Sequence, residues 1–175
     1  MKAMNNSEIN NVFALERLKA AFTDKILTSD EPYGLLTIEV PAASAHEIVQ
    51  WLKEDEVLRV DFLTNIAGIH YPEAQDREFA VVYQLHSLVH NLRIRIKAFV
   101  PLSNPSILSL TDIYAGSNWM ERETFDFYGI QFINHPNLTR ISNEEDMDYH
   151  PMRKEFQLED ATRIDKDNRF FGREE

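Results

Sequence analysis

"LRIRIKAFV", running from Leu92 to Val100, alternates without a break. On an extended chain Leu92, Ile94, Ile96, Ala98 and Val100 fall on one side, and Arg93, Arg95 and Lys97 on the other. A period of two predicts a strand with one face in a core and the other turned outward. The outward face is basic. It reads either as a solvated sheet face paired with acids on neighbouring strands or as a docking face for an acidic partner.

Outward from that strand the pattern continues. "REFAVVYQL" and "LRVDFLTNIAGIHYP" upstream are rich in β-branched and aromatic residues and predict two more strands, with "HSLVHN" as the turn before Leu92. "LLTIEV" places Leu36, Ile38 and Val40 on one face, and Pro41 ends it. Between Ile9 and Leu27, Val12, Leu15, Leu18, Phe22 and Ile26 recur at helical spacing, which predicts a first amphipathic helix. Ser44 and Glu47 form a capping-box pattern ahead of Ile48, Val49 and Leu52, so a second helix is expected to run to about Glu54. Helical signals return from Ser106 to Asp126 as one kinked helix or two short ones, with Asn118 and Glu121 spaced as a further cap. This order predicts an α+β fold in two layers: a mixed or antiparallel sheet with helices on one face. The domain is expected over residues 1–156, and residues 157–175, with scattered apolar anchors such as Phe170 and Phe171, as an extended charged C-terminal arm.

Composition narrows the function. A chain of 175 residues with 43% hydrophobic and 27% charged residues is an ordinary globular domain. Its net charge of −11 opposes a primary role on nucleic acid or anionic lipid. The absence of cysteine excludes disulfides, a thiol nucleophile and the usual thiolate ligation of iron-sulfur clusters. The first residues lack the apolar core of a signal peptide and no run approaches the length of a bilayer span, so any membrane contact is expected to pass through other chains.

The chemistry-bearing residues concentrate in "WMERETFDFYGIQFINHPNLTRI", Trp119 to Ile141. Glu121, Glu123 and Asp126 could serve as acid/base carboxylates if their environments split their pKa values. On a helix, however, Arg122 reaches Asp126 one turn on, which favours an ion-pair knot over a proton shuttle. Phe125, Phe127 and Tyr128 on the same helix leave little of its circumference to water, so some charges must be buried or meet a partner. Gly129 reads as a left-handed helix cap, "IQF" as a short strand or the start of a turn, and His135-Pro136 as a turn. His86 and His90 are four apart but flank the expected hairpin turn without a third ligand. No glycine-rich phosphate loop and no nucleophile elbow is present.

This stretch resembles the signature of the 30 kDa subunit, the C subunit, of the respiratory NADH:quinone oxidoreductase, complex I. The family reads W-x-E-R-E, an aromatic and Asp, a hydrophobic pair, G-[IV]-x-F, then H-P-x-L-x-R-I and later H-P-L-R-K-D-F. Matching positions are Trp119, Glu121, Arg122, Glu123, Phe125, Asp126, Gly129, Ile130, Phe132, His135, Pro136, Leu138, Arg140 and Ile141, then His150, Pro151, Arg153, Lys154 and Phe156. Asn134 stands where the family often has Gly, Asn137 for Asp, Thr139 for Arg and Ser142 for Leu. A residue at 134 must therefore tolerate a backbone that glycine usually serves, or the turn there differs.

The resemblance implies a peripheral-arm subunit of a proton-pumping NADH:quinone oxidoreductase that holds no cofactor and performs no catalysis alone. Its partners would be chiefly the large D subunit, which lines the quinone cavity, then the B and I subunits, at the cytoplasmic face of a bacterial inner membrane. The signature residues, with His150, Arg153 and Lys154, would serve structure and partner contact. Alternatives are the equivalent subunit of a membrane-bound hydrogenase or other-donor quinone reductase and, in another class, a metal-assisted hydrolase using His135, His150 and the signature acids.

Overall fold

The structure, a computed structural model, describes residues 9–156; the expected arm at 157–175 lies outside the described residues. Its elements are α1 (Asn11–Ala21), β1 (Thr28–Asp30), β2 (Leu36–Pro41), α2 (Ala42–Glu54), β3 (Phe62–His70), β4 (Phe79–Ser87), β5 (Leu92–Val100), β6 (Ser106–Leu108), α3 (Ser117–Tyr128) and β7 (Gln131–Ile133). Five strands form one sheet in the order β1-β2-β5-β4-β3. β2 runs parallel to β5 and every other pair in that sheet is antiparallel, so the sheet is mixed.

The alternation of Leu92–Val100 sets the core. Ile94, Ile96 and Ala98 lie beside Leu36, Ile38 and Val40 on β2, and beside Leu85, Tyr83 and Val81 on β4. All of these are buried. A bulge in β3 between Leu63 and Asn65 puts Leu63 and Ile66, three residues apart, on the same buried face, which a regular strand could not do. The helices complete this core: Ala14 and Leu18 from α1, Ala45, Ile48, Val49 and Leu52 from α2, and Met120, Phe125 and Tyr128 from α3 join the same cluster. The fold is thus α+β, a mixed five-stranded sheet with three helices.

Several local expectations change. α1 stops at Ala21, Val12 is exposed, and Ile26 packs on the core from the turn that follows. β1 is short and wholly exposed, so no periodicity announced it. α2 starts at Ala42 directly after Pro41 with no side-chain cap, and Glu47 pairs with Lys25 instead of closing a capping box. Residues 106–108 are a strand paired in parallel with β7, not helix. One helix follows among the described residues, and Asn118 lies inside it behind a Gly116 cap. No helix among the described residues is long and apolar enough to cross a membrane.

α3 crosses β3 at Gly68. A Cβ there would stand 2.5 Å from the Tyr128 ring and 3.0 Å from the Thr124 methyl group, so the lone glycine of the strand is what lets helix and sheet touch. Gly68→Val should therefore destabilise the folded chain by about 1–3 kcal/mol through overpacking. Gly116→Ala, where nothing lies within 4 Å, should cost less than about 1 kcal/mol. Urea midpoints of the two variants check the difference.

Candidate partner interface at the end of the third helix

A helix ends with carbonyls that have no donor within it. In α3 each of the last four finds one. Gly129, left-handed at φ 76°, returns its amide to the Phe125 carbonyl at 2.8 Å. The Asp126 carbonyl accepts from His150 Nδ1 at 2.9 Å and from Arg140 at 3.2 Å. Phe127 accepts from the Met152 amide at 3.1 Å, and Tyr128 from Arg153 Nε at 2.8 Å. Residues 140–153 thus wrap the negative end of the helix and bring two guanidinium groups to it, the sign the helix dipole favours.

The side chain of Asp126 anchors the wrap. It is wholly buried, and Arg140 NH1 reaches Oδ1 at 2.7 Å. The Asn143 side chain adds a bond to Oδ1 at 3.0 Å, while the amides of Ile141, Ser142 and Asn143 converge on Oδ2 at 3.1, 2.8 and 3.0 Å. Burial by itself would raise this carboxyl. The amides of Asn143 and Ser142, the Asn143 side chain and Arg140 outweigh it and hold the pKa well below the usual carboxylate range. Arg140 also donates to the carbonyls of Met147 and Tyr149 at 2.7 and 2.9 Å, so one guanidinium joins the helix end to the loop that wraps it.

Arg122 is not the partner of Asp126, contrary to what helical spacing favours. Its Nε and NH2 groups donate to the carbonyls of Thr139 and Arg140 at 3.1 and 3.0 Å, and its guanidinium lies 4.9 Å from the exposed Trp119 ring. Arg122 therefore holds the backbone that presents Arg140. His135 fastens the next turn: its Nε2 faces the Asn118 carbonyl at 3.1 Å and must donate, while Nδ1 accepts from Asn137 at 3.1 Å. Asn134 carries φ 67°, the left-handed backbone expected where the family has glycine.

Lys154 contributes through its backbone. Its amide donates to Nδ1 of the buried His70 at 3.0 Å, which leaves that nitrogen unprotonated; the 3.5 Å approach of Glu155 to the same atom is then no ion pair. Burial lowers the His70 pKa in agreement. Arg153 lies 5.1 Å from the Phe79 ring centroid, and a Cβ at Gly129 would come within 2.5 Å of the Arg153 guanidinium and 2.6 Å of the His150 ring. Gly129 is needed twice, for its left-handed backbone and for room.

Glu121 points elsewhere. It is fully buried and accepts from Ser109 Oγ at 2.6 Å and the Leu110 amide at 2.7 Å. Burial raises its pKa to about 7 against the lowering by those bonds. Glu123 and Pro136 are exposed. The two buried signature acids, Glu121 and Asp126, are thus split in pKa but pinned to separate loops, Glu121 by two fixed donors and Asp126 by five. Among the described residues no group of three or more His, Asp or Glu is placed to hold a metal ion. His86 meets Asn91 Oδ1 at 3.2 Å across the hairpin.

The respiratory-chain NADH dehydrogenase 30 Kd subunit family matches residues 38–162. The chain belongs to this family. It is 43% identical over 150 residues to the NADH-quinone oxidoreductase C subunit of Roseiflexus sp. (strain RS-1), covering 86% of each chain. It is 43% identical over 123 residues to the C subunit of Mycolicibacterium paratuberculosis, where it spans about half of the longer relative (70% of this chain, 52% of that one). Among solved structures, the trypsin-resistant fragment (1-134) of Nqo5 aligns with a TM-score of 0.63 and 29% identity over 73% of this chain and 98% of that one. A chain of an archaeal membrane-bound sulfane sulfur reductase shares the fold alone, with TM-score 0.71 at 19% identity over 84% and 85% of the two chains. In this chain the signature residues meet in two groups. Asp126, Gly129, Arg140, His150, Arg153 and Lys154 form the wrap, with Arg122 and His135 holding its approach, while Glu121 anchors the 109–110 loop. Asn143, Ser109 and His70 carry no sequence signal of their roles, whereas Gly68, an isolated glycine in an apolar strand, does mark a close approach.

The electrostatics yield two expected outcomes. Arg140→Ala strands a buried carboxylate and should cost about 3–5 kcal/mol, whereas Arg122→Ala, which frees two part-buried carbonyls, should cost about 1–3 kcal/mol; denaturant titrations of both variants test the order. Glu121 titrates near 7 folded and near 4.5 ordinarily, so the folded state keeps a proton that the unfolded chain releases. Stability therefore falls as pH rises from 4.5 to 7, by on the order of 3 kcal/mol. Glu121→Gln should abolish that fall, matching the wild type near pH 4.5 and exceeding it at pH 8 in thermal melts.

Proposed function

We propose that this chain is the C subunit of a proton-pumping NADH:quinone oxidoreductase. In this reading it transfers no electrons itself and supports electron flow to quinone by docking against the quinone-site D subunit, with the B and I subunits as further neighbours. The complex then stands at the cytoplasmic face of the bacterial inner membrane, and this chain meets the membrane only through its partners. The domain over 1–156 supplies the docking body, and the segment from 157 to 175 extends the contact.

One observation carries the proposal. The polar wrap at the end of α3 is satisfied internally, yet Trp119, Ile133, Ile141, Tyr149, Met152 and Phe156, all in or beside the signature, are exposed. Tyr149 and Phe156 pack ring to ring, 4.8 Å between centroids. Large apolar side chains gathered on a rigid polar scaffold are the anatomy of a protein interface, and aromatic residues dominate the binding energy of such surfaces. A hydrolytic site would instead leave a carboxylate or imidazole with free lone pairs facing a cavity, and Asp126 and His135 have theirs occupied while Glu121 is buried with a donor on each oxygen.

Trp119 tests the interface with little expected effect on the fold: it is 61% exposed, and of the polar wrap only the Arg122 guanidinium lies over it. Trp119→Glu should leave the isolated chain as stable as the wild type within about 1 kcal/mol. In membranes it should reduce the amount of full-sized complex, with quinone reductase activity falling in proportion. Native gels and NADH:quinone activity on the same membranes measure both, and a full-sized complex without turnover would overturn the docking role.

A further inference from the structure

Strand β5 carries Arg93, Arg95 and Lys97 on the sheet face turned away from the core. Their surroundings differ. Lys97 registers beside Glu39 and lies 5.3 Å and 5.9 Å from the Phe99 and Tyr71 ring centroids, while Arg77 takes the Glu39 carboxylate at 2.7 Å and sits 4.0 Å over Phe99. That end of the stripe is answered within the chain. Arg93 and Arg95 register with His86, Gln84 and Thr37, none of them acidic, and among the described residues neither guanidinium has an ion pair or side-chain hydrogen bond. Two cations without a partner among the described residues thus stand together on a chain of net charge −11.

They line a cleft of about 560 Å³ whose opposite wall is the 32–35 turn. β2 begins opposite Ile94, so Leu92 and Arg93 have no strand partner on the cleft side. Tyr33, at the tip of the turn, is fully exposed and held at φ 57°, and Asn91 beside Arg93 is held at φ 51°. A left-handed tyrosine is strained, and at Tyr33 no burial offsets it. The cleft also lies far from the α3 wrap. Arg93 is near the Ser87–Leu92 end of the sheet, whereas the wrap sits over Gly68, His70 and Phe79, about 17 to 23 Å away by strand rise.

We infer that this cleft is a second docking site, which takes an extended acidic segment of a neighbouring protein in the assembly. The inference rests on the assembly reading above. Arg93 and Arg95 are two residues apart on a strand, so their Cα atoms stand about 6.6 Å apart, the spacing of alternate side chains on another extended chain. Carboxylates at alternate positions of that segment meet the two guanidinium forks, and the Tyr33 ring covers it. A nucleic acid or other long polyanion is disfavoured because the remaining surface repels it.

Photo-crosslinking in the assembled complex tests this, with p-benzoylphenylalanine replacing Tyr33 in one strain and Trp119 in another, and mass spectrometry of the linked peptides. The expected product from position 33 is a peptide of a different protein of the complex with Asp or Glu at alternate positions. Arg93→Glu with Arg95→Glu should lower its yield about tenfold, as loss of two exposed ion pairs predicts, and leave the position 119 product unchanged. A neutral or basic peptide, a peptide of this same chain, a yield insensitive to the charge reversal, or no product at 33 beside a normal product at 119 would each overturn the second site. Absence of product at both positions would overturn the assembly reading and this inference with it.

Discussion

The carboxylate of Asp126 is the constraint on which the signature region depends. A buried charge is tolerated only when its hydrogen-bonding capacity is filled, and here five donors fill it: one guanidinium, one side-chain amide and three backbone amides. Those amides belong to consecutive residues, 141–143, so the anion dictates the backbone of a segment with no regular secondary structure. Once that segment is fixed, Arg140 can reach Asp126, Met147 and Tyr149 together, and His150, Met152 and Arg153 fall onto the last carbonyls of α3. An irregular loop is thereby tied to the helix it wraps at every turn of its path.

Five residues earlier on the same helix, Glu121 makes the opposite use of burial. It has two donors and no cation, and its pKa rises to about 7 where that of Asp126 falls. The contrast follows from how many donors each site supplies against the cost of desolvation. Both acids act as staples between α3 and a loop, and their unequal titration comes from that structural role. Perturbed pKa values in a helix are therefore weak grounds for catalysis unless an open lone pair accompanies them.

The wrap and the sheet divide the molecule's surface. At one end an internally satisfied polar scaffold carries exposed aromatic and aliphatic side chains, which suits a dry contact. At the other, the outward face of β5 changes character along its length. Near Lys97 its charges are matched by Glu39 and by ring faces, and near Arg93 they are not matched among the described residues. The two readings of the basic stripe thus each apply to a different part of it.

The sequence by itself determined the four long strands β2 to β5, their buried faces and the family. The alternation of Leu92–Val100, the apolar face of Leu36, Ile38 and Val40 and the Gly129 cap are local properties, set by side-chain periodicity and by backbone sterics within a few residues. Where the signal was weak, local reading failed: β1 has no buried face, Ser106–Leu108 is too short to show a period, and Ser44 and Glu47 fit a capping box that the Pro41 start pre-empts. Only the tertiary structure decided which arginine meets Asp126. Helical spacing favoured Arg122, four residues away, but a turn beyond β7 returns Arg140 to the same carboxylate with three amides beside it, and an anion satisfied by several preorganised donors outcompetes one flexible ion pair. That choice depends on the path of a loop around a helix end, which no local pattern encodes.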